Sequence, residues 1–290
     1  PQVPDSNVVL EPANRDTAPC IGLAAWKILR QEPNAVMVVL PSDHYIADDE
    51  AFCKTLNAAI AHAAATADLV TIGIHPSGPE TGYGYIEKGD FLQKEHGKAV
   101  FRAKRFVEKP PREQAVAMLD AGGYYWNSGI FVFRADAILK AIEEYLPELN
   151  QGLRSILPHL GTPVEKEILS ALYPTLPKIS LDYGIMEKSP RVAMVAGRFL
   201  WDDIGTWTAL ARYLPKDEAG NACHPACRKL LLDTCNCIVE SDGLLVATLG
   251  VQDLLIVAWD GILLVADKER SQDVKKLVYQ LQEVGLKEYL

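Results

Sequence analysis

The chain has 290 residues, 49% hydrophobic and 23% charged, which is ample apolar material for a buried core and argues against a disordered chain. A formal net charge of −9 sets up a field that repels polyanions, so no nucleic-acid surface is expected, whereas a small phosphorylated ligand needs only local positive charge. No run reaches the roughly 20 apolar residues needed to cross a bilayer; even residues 254–265 are broken by Asp260 and Gly261. No membrane anchor is therefore expected. Residues 1–7 lack the basic, apolar and small-residue order of a secretory signal, which points to the cytoplasm.

In chain order, Thr17 is placed to cap a helix over residues 17–30, with Pro19 in its first turn and Ile21, Ala24, Ala25, Ile28 and Leu29 at helical spacing. Residues 36–40 form an apolar run of strand length, suited to a strand covered on both faces. A helix over 50–65 and a buried strand over 69–74 follow, giving a strand, helix, strand order with a right-handed crossover. Further strands are expected at 99–107, 130–133 and 191–200. Helices are expected at 112–119 and 135–145, with shorter ones up to residue 172. Polar motifs recur after the strand ends, where open α/β sheets bind ligands.

From residue 216 the composition becomes turn-like, and short β-type runs follow at 229–232, 238–240, 244–248, 254–257 and 262–265 before an amphipathic helix over 271–284. A domain boundary near residue 215 is expected, separating residues 1–214 from a β-rich domain of residues 215–290 that ends in a helix. Cys223, Cys227, Cys235 and Cys237 cluster there. Their spacing departs from paired zinc knuckles, and reduced thiols lining strands and turns are the expected reading, with a zinc site weighed against it.

Asp43 and Asp203 each follow a predicted strand. A lone aspartate there is an ordinary turn or cap residue, but two carboxylates converging on one sheet edge suit Mg²⁺, a hard cation that shares its shell with phosphate oxygens. Glu108-Lys109-Pro110 sets an acceptor for sugar hydroxyls beside a point charge for phosphate, although an isolated Glu-Lys pair is more often an ordinary solvated surface pair. The glycines of Thr81-Gly82-Tyr83-Gly84-Tyr85 permit close backbone approach, and Trp126-Asn127-Ser128-Gly129, the entry to the strand at 130–133, offers an amide able to bond two hydroxyls; either motif could equally be a glycine-containing turn beside core aromatics.

Together with Glu11-Pro12, Arg15-Asp16-Thr17-Ala18-Pro19, Pro41-Ser42-Asp43-His44, residues 180–188 (SLDYGIMEK) and Trp201-Asp202-Asp203-Ile204-Gly205-Thr206-Trp207, these motifs resemble the sugar-1-phosphate nucleotidylyltransferases along essentially the whole chain. Within that family the mannose-1-phosphate guanylyltransferases are most similar. The resemblance implies a Rossmann-like α/β nucleotidyltransferase fold with a mostly parallel sheet. It implies catalytic Asp43, Lys109 and Asp203, with Mg²⁺ held by Asp43 and Asp203. Mannose 1-phosphate would be bound by Gly84, Glu108, Lys109 and Asn127, and the base of GTP by Glu11, Asn14 and Thr17. GDP-mannose and pyrophosphate would be the products, and a homodimer is a family-level expectation.

Two departures stand out. The family's glycine-rich phosphate loop, Gly-x-Gly-Thr-Arg-Leu-Trp-Pro, has no counterpart, which implies that an N-terminal section is missing and that the chain as given makes little product. Asp16 stands where the family more often has Asn. The competing readings are a nucleotidylyltransferase for another sugar 1-phosphate or base, and a non-catalytic relative that binds a sugar nucleotide and regulates a partner.

Overall fold

The computed structural model describes residues 3, 4 and 7–289, with side chains at all of these except 272 and 287. The stretch 1–7, from which no secretory signal was expected, lies partly outside the described residues. The chain divides into two compact units, Pro1–Trp201 and Asp202–Leu290. Among the described residues no helix is long and apolar enough to cross a membrane.

The first unit begins with α1 (Thr17–Leu29), β1 (Val36–Val39), the two-residue β2 (Tyr45–Ile46), α2 (Asp49–Ala65) and β3 (Leu69–Ile74). A long ribbon follows, made of β4 (Tyr85–Glu95) and β5 (Lys98–Val107), then α3 (Arg112–Ala121) and β6 (Tyr124–Arg134). The helices α4 (Ala135–Tyr145), α5 (Pro147–Ile156) and α6 (Glu165–Leu172), a π-helical turn at Asp182–Met186, and β7 (Val192–Gly197) complete it before the short β8 (Trp201–Asp202). Six strands form one sheet in the order β1-β6-β3-β7-β5-β4. The expected α/β architecture is present, but the sheet is mixed and not mostly parallel. Within it only β3 and β7 pair in parallel, while β6 runs antiparallel to both β1 and β3 between them.

Side-chain alternation along β6 shows how the sheet divides two cores. Phe131 and Phe133 face the layer of α1, α4 and α5, with Ile21, Ile138, Ile142 and Leu153, whereas Val132 faces Ala58, Ala59 and Ala63 of α2. Each fully buried Ile or Leu contributes roughly 1.5–3 kcal/mol, so this two-sided burial fixes the register of β6 and with it the residues at its start.

β4 pairs along β5 and, through Tyr85, Ile86 and Glu87, with the first three residues of β6. That double pairing brings the ends of three segments together: Gly84 before β4, Glu108 after β5 and Asn127 in β6. Trp126-Asn127-Ser128-Gly129 is not an entry turn, as its glycine suggested, but part of β6. The strand tolerates these polar residues because Ser128 Oγ donates to the Ile72 carbonyl at 2.7 Å, and because Gly129 takes φ 67° where the β3–β6 register shifts.

In the second unit α7 (Trp207–Leu210) precedes β9 (Ala222–Cys223), β10 (Lys229–Leu232), β11 (Ile238–Ser241), β12 (Val246–Leu249), β13 (Leu254–Trp259) and β14 (Ile262–Asp267). β9, β11 and β13 stack in parallel, as do β10 and β12, so consecutive strands alternate between two ladders as in a winding coil. Asp233, Asn236 and Asp253 turn between these strands at φ 47°, 54° and 57°, a conformation that Asn and Asp accept more readily than other side chains. Cys223, Cys227 and Cys237 are buried inside the coil with Val239, Val246 and Ile256, while Cys235 is exposed. Burial raises the pKa of Cys223 and of Cys227. Among the described residues no group of three or more His, Cys, Asp or Glu side chains is placed to hold a metal. The expected terminal helix starts as a 3-10 turn, Lys268–Asp273, and continues as α8 (Val274–Glu283).

Candidate active site

Gly84, Glu108, Lys109 and Asn127 are brought together in the first unit. A Cβ on Gly84 would lie 2.5 Å from Glu108 Oε2 and 3.4 Å from the Asn127 Cβ, so the glutamate carboxylate occupies the space that a side chain at position 84 would take. The Gly84 carbonyl accepts from the Asn127 N–H at 2.8 Å. Glu108 Oε1 pairs with Lys109 Nζ at 2.9 Å, and this bond, ahead of the opposing effect of burial, holds the Lys109 pKa above its ordinary value. Lys109 is exposed and takes φ 46°, an uncommon backbone for a residue with a side chain.

The Asn127 amide is more committed than its sequence context implied. Its Nδ2 donates to Asp182 Oδ1 at 2.7 Å. Its Oδ1 accepts from Thr71 Oγ1 at 3.2 Å and from the Gly129 N–H at 3.3 Å. One N–H thus remains for a ligand, not the pair of bonds expected from a free amide.

Asp43 follows β1 and is exposed. Its turn is anchored by His44, whose ring meets Trp201 edge-on at 5.2 Å and accepts from the indole Nε1 at 3.1 Å. Pro41 and His44 also approach Gly129 of β6, within 3.7 and 3.9 Å of where its Cβ would stand. Asp203 belongs to the second unit, where its Oδ1 accepts from the Gly205 N–H at 2.8 Å. Both aspartates offer hard oxygen donors of the kind Mg²⁺ takes.

The segment carrying Glu11, Asn14 and Thr17 docks on residues 173–181. Glu11 Oε1 accepts from the hydroxyl of fully buried Tyr173, and burial, then Glu11, pushes the Cys20 thiol up to about 11. Asn14 Oδ1 accepts from the Asp16 N–H at 3.0 Å and Thr17 Oγ1 from the Leu181 N–H at 2.8 Å. Asp16, not Thr17, caps α1, its carboxylate accepting from the Thr17 N–H. At φ 68° and ψ −173° its backbone lies in a region that few residues other than glycine adopt.

Sequence reasoning passed over Asp182 and Glu187 as site residues, although both lie in the quoted stretch 180–188. Burial raises the Asp182 pKa, opposed by the Asn127 bond and reinforced by Glu108. Burial likewise raises Glu187, with Glu108 and Asp182 adding to it. Their proximity to Glu108 arises only through folding, which the spacing of the motifs does not encode.

A family model described as nucleotidyl transferase matches residues 4–220, and one described as a mannose phosphate isomerase/GMP-like β-helix domain matches residues 228–281. A mannose-1-phosphate guanylyltransferase of Klebsiella pneumoniae is 38% identical over 285 residues, covering 98% of this chain and 60% of that protein. One of Escherichia coli K12 is 38% identical over 290 residues, covering 98% and 59%. The chain thus spans about 60% of the length of these curated relatives. A crystal structure described as mannose-1-phosphate geranyltransferase from Thermus thermophilus superposes with a TM-score of 0.80 at 37% identity, covering 94% of this chain and 77% of that one. The family-model match over residues 4–220, with relatives 38% identical along 98% of the chain, places this chain in the nucleotidyl transferase family.

Proposed function

We propose that the chain carries the sugar-phosphate and base-binding parts of a mannose-1-phosphate guanylyltransferase. In that reaction a phosphate oxygen of mannose 1-phosphate attacks the α-phosphorus of GTP in line. The new P–O bond makes GDP-mannose, and the α–β bridging bond breaks to release pyrophosphate. Such transfers need positioning and charge neutralisation more than a covalent partner. The observation that carries this reading is the clustering of Glu108, Lys109 and Asn127 beside Gly84: an acceptor, a cation and a single amide donor, with the Glu108 carboxylate seated where a side chain at position 84 would stand.

Glu108 is the acceptor for mannose hydroxyls and the remaining Asn127 N–H the donor, while the Lys109 ammonium holds the phosphate. Glu11, Asn14 and Thr17 meet the guanine. Asp43 and Asp203 are the carboxylates that would hold Mg²⁺, whose charge, when bound, offsets that of the phosphates. Among the relatives' printed names, mannose-1-phosphate guanylyltransferase recurs at 38% identity, which supports the choice of sugar and base.

Isothermal titration of the chain with mannose 1-phosphate, mannose 6-phosphate and glucose 1-phosphate tests the sugar reading. Mannose 1-phosphate is expected to bind at least tenfold tighter than the other two. Absence of binding, or no preference among the three, overturns the assignment.

A further inference from the structure

We infer that Asp182 is a positioning residue of the sugar subsite, its carboxylate fixing the Asn127 amide so that one N–H is presented to the ligand. This deepens the proposed function and rests on it for the identity of the ligand, although the Asp182–Asn127 lock stands on geometry alone.

An ionised carboxylate only accepts hydrogen bonds, and a backbone N–H only donates. Asn127 has one of each as neighbours: Asp182 Oδ1 lies 2.7 Å from Nδ2, and the Gly129 N–H points at Oδ1 from 3.3 Å. Rotating the amide by half a turn would set its oxygen against the carboxylate and its NH₂ against the Gly129 N–H. Both contacts would then be repulsive. The Thr71 hydroxyl cannot impose this orientation, because a hydroxyl both donates and accepts, and its proton is shared between Asn127 Oδ1 and the Ile130 carbonyl at 3.2 and 3.3 Å. Asp182, at the shorter distance and with the charge, therefore dominates.

The carboxylate is itself firmly placed. It opens the π-helical turn Asp182–Met186, which is packed through fully buried Leu181 and Ile185, and Met186 at 1% exposure. The Leu181 N–H is tied to Thr17 Oγ1. Turns of this kind are rare and concentrate at functional sites. The consequence is a fixed pattern: Glu108 accepts, Asn127 donates, and the group bound between them must do both, as a hydroxyl does. Position 182 selects for that pattern without itself supplying a sugar contact.

Two variants separate orientation from charge and from simple loss of packing. Asp182→Ala removes the acceptor; Asp182→Asn keeps one, since its own amide turns its oxygen to Asn127. In ¹⁵N-labelled protein the Asn127 side-chain NH₂ signals, assigned through Asn127→Ser, should show one exchange-protected proton in the wild type and in Asp182→Asn but not in Asp182→Ala. Calorimetric titration with mannose 1-phosphate should give about tenfold weaker binding for Asp182→Ala and recovery to within about threefold of wild type for Asp182→Asn. Protection retained in Asp182→Ala, or equal loss of binding in both variants, overturns the inference. A wild-type chain that shows the protected proton yet binds no mannose 1-phosphate overturns the proposed function while supporting the lock.

Discussion

Gly84→Ala probes the sugar subsite with one methyl group. Its Cβ would stand 2.5 Å from Glu108 Oε2 and 3.6 Å from Glu108 Cδ, so the carboxylate must retreat by roughly 1 Å to reach ordinary contact. The glutamate is the end of a flexible side chain and can move, and the Gly84 backbone is not in the left-handed region that would penalise alanine. Folding should therefore suffer little: the Glu108–Lys109 pair is exposed on the lysine side, and such pairs are worth about 0–1 kcal/mol. Binding should suffer more. Displacing the carboxylate forfeits charge-assisted bonds to the sugar worth roughly 1.5–3 kcal/mol, or about 10- to 150-fold in dissociation constant. Titration calorimetry with mannose 1-phosphate, alongside urea denaturation, measures both quantities on the same protein. An unchanged dissociation constant refutes the placement of sugar at Glu108, and a stability loss above about 2 kcal/mol refutes the claim that the methyl group is accommodated locally.

Three other outcomes are expected. Lys109→Gly should stabilise the fold by about 0.5–1 kcal/mol in urea denaturation, because φ 46° suits glycine, yet weaken mannose 1-phosphate binding by roughly one to two orders of magnitude through loss of the ammonium; loss of stability would show that the backbone there is unstrained. Because burial raises the Asp182 pKa, that group favours folding fully only below its unfolded value of about 3.9, and the contribution is lost as pH rises through the higher folded value. Asp182→Asn should accordingly gain stability relative to wild type between pH 4 and pH 7, and urea midpoints that shift in parallel would contradict the assignment. With an N-terminal segment supplying a glycine-rich phosphate loop fused ahead of the chain, Asp43→Ala should depress kcat by about 100-fold or more with little change in KM for mannose 1-phosphate; normal kcat at saturating Mg²⁺ would remove Asp43 from the metal role.

The fold was legible where burial is complete. All six residues of β3 are buried, and its limits match the apolar run at 69–74. Strand direction was not legible, because an apolar run reports coverage on both faces and says nothing of polarity; β6 could be antiparallel between β1 and β3 without any change in its pattern. β4 escaped notice because Lys88, Gly89 and Asp90 interrupt it and much of its length is solvent-exposed. The start of β6 was mistaken for a turn because Asn, Ser and Gly are turn residues wherever their side chains bond locally. Here Asn127 and Ser128 do accept local bonds from the Gly129 and Ile130 N–H groups, but they also bond to β3 and to the turn carrying Asp182, contacts distant in sequence that hold the segment in the strand.

The same limit explains why the site was read as a set of motifs and not as a balance of charge. Glu108 acts electrostatically on both Asp182 and Glu187, with Lys109 as the neighbouring cation of Asp182 and Lys188 that of Glu187. Three carboxylates against two ammonium groups leave an excess of negative charge that would repel a phosphate placed at random among them. The geometry divides the work: Asp182 is turned to Asn127, Glu108 lies over Gly84, and the Lys109 amine stands exposed beside them. A sugar phosphate would thus meet the carboxylates with its hydroxyls and the ammonium with its phosphate. The excess negative charge would then act as a filter against ligands that present the phosphate at the wrong end, because a phosphate swung toward Glu108 loses the ammonium and meets the carboxylate in the same movement.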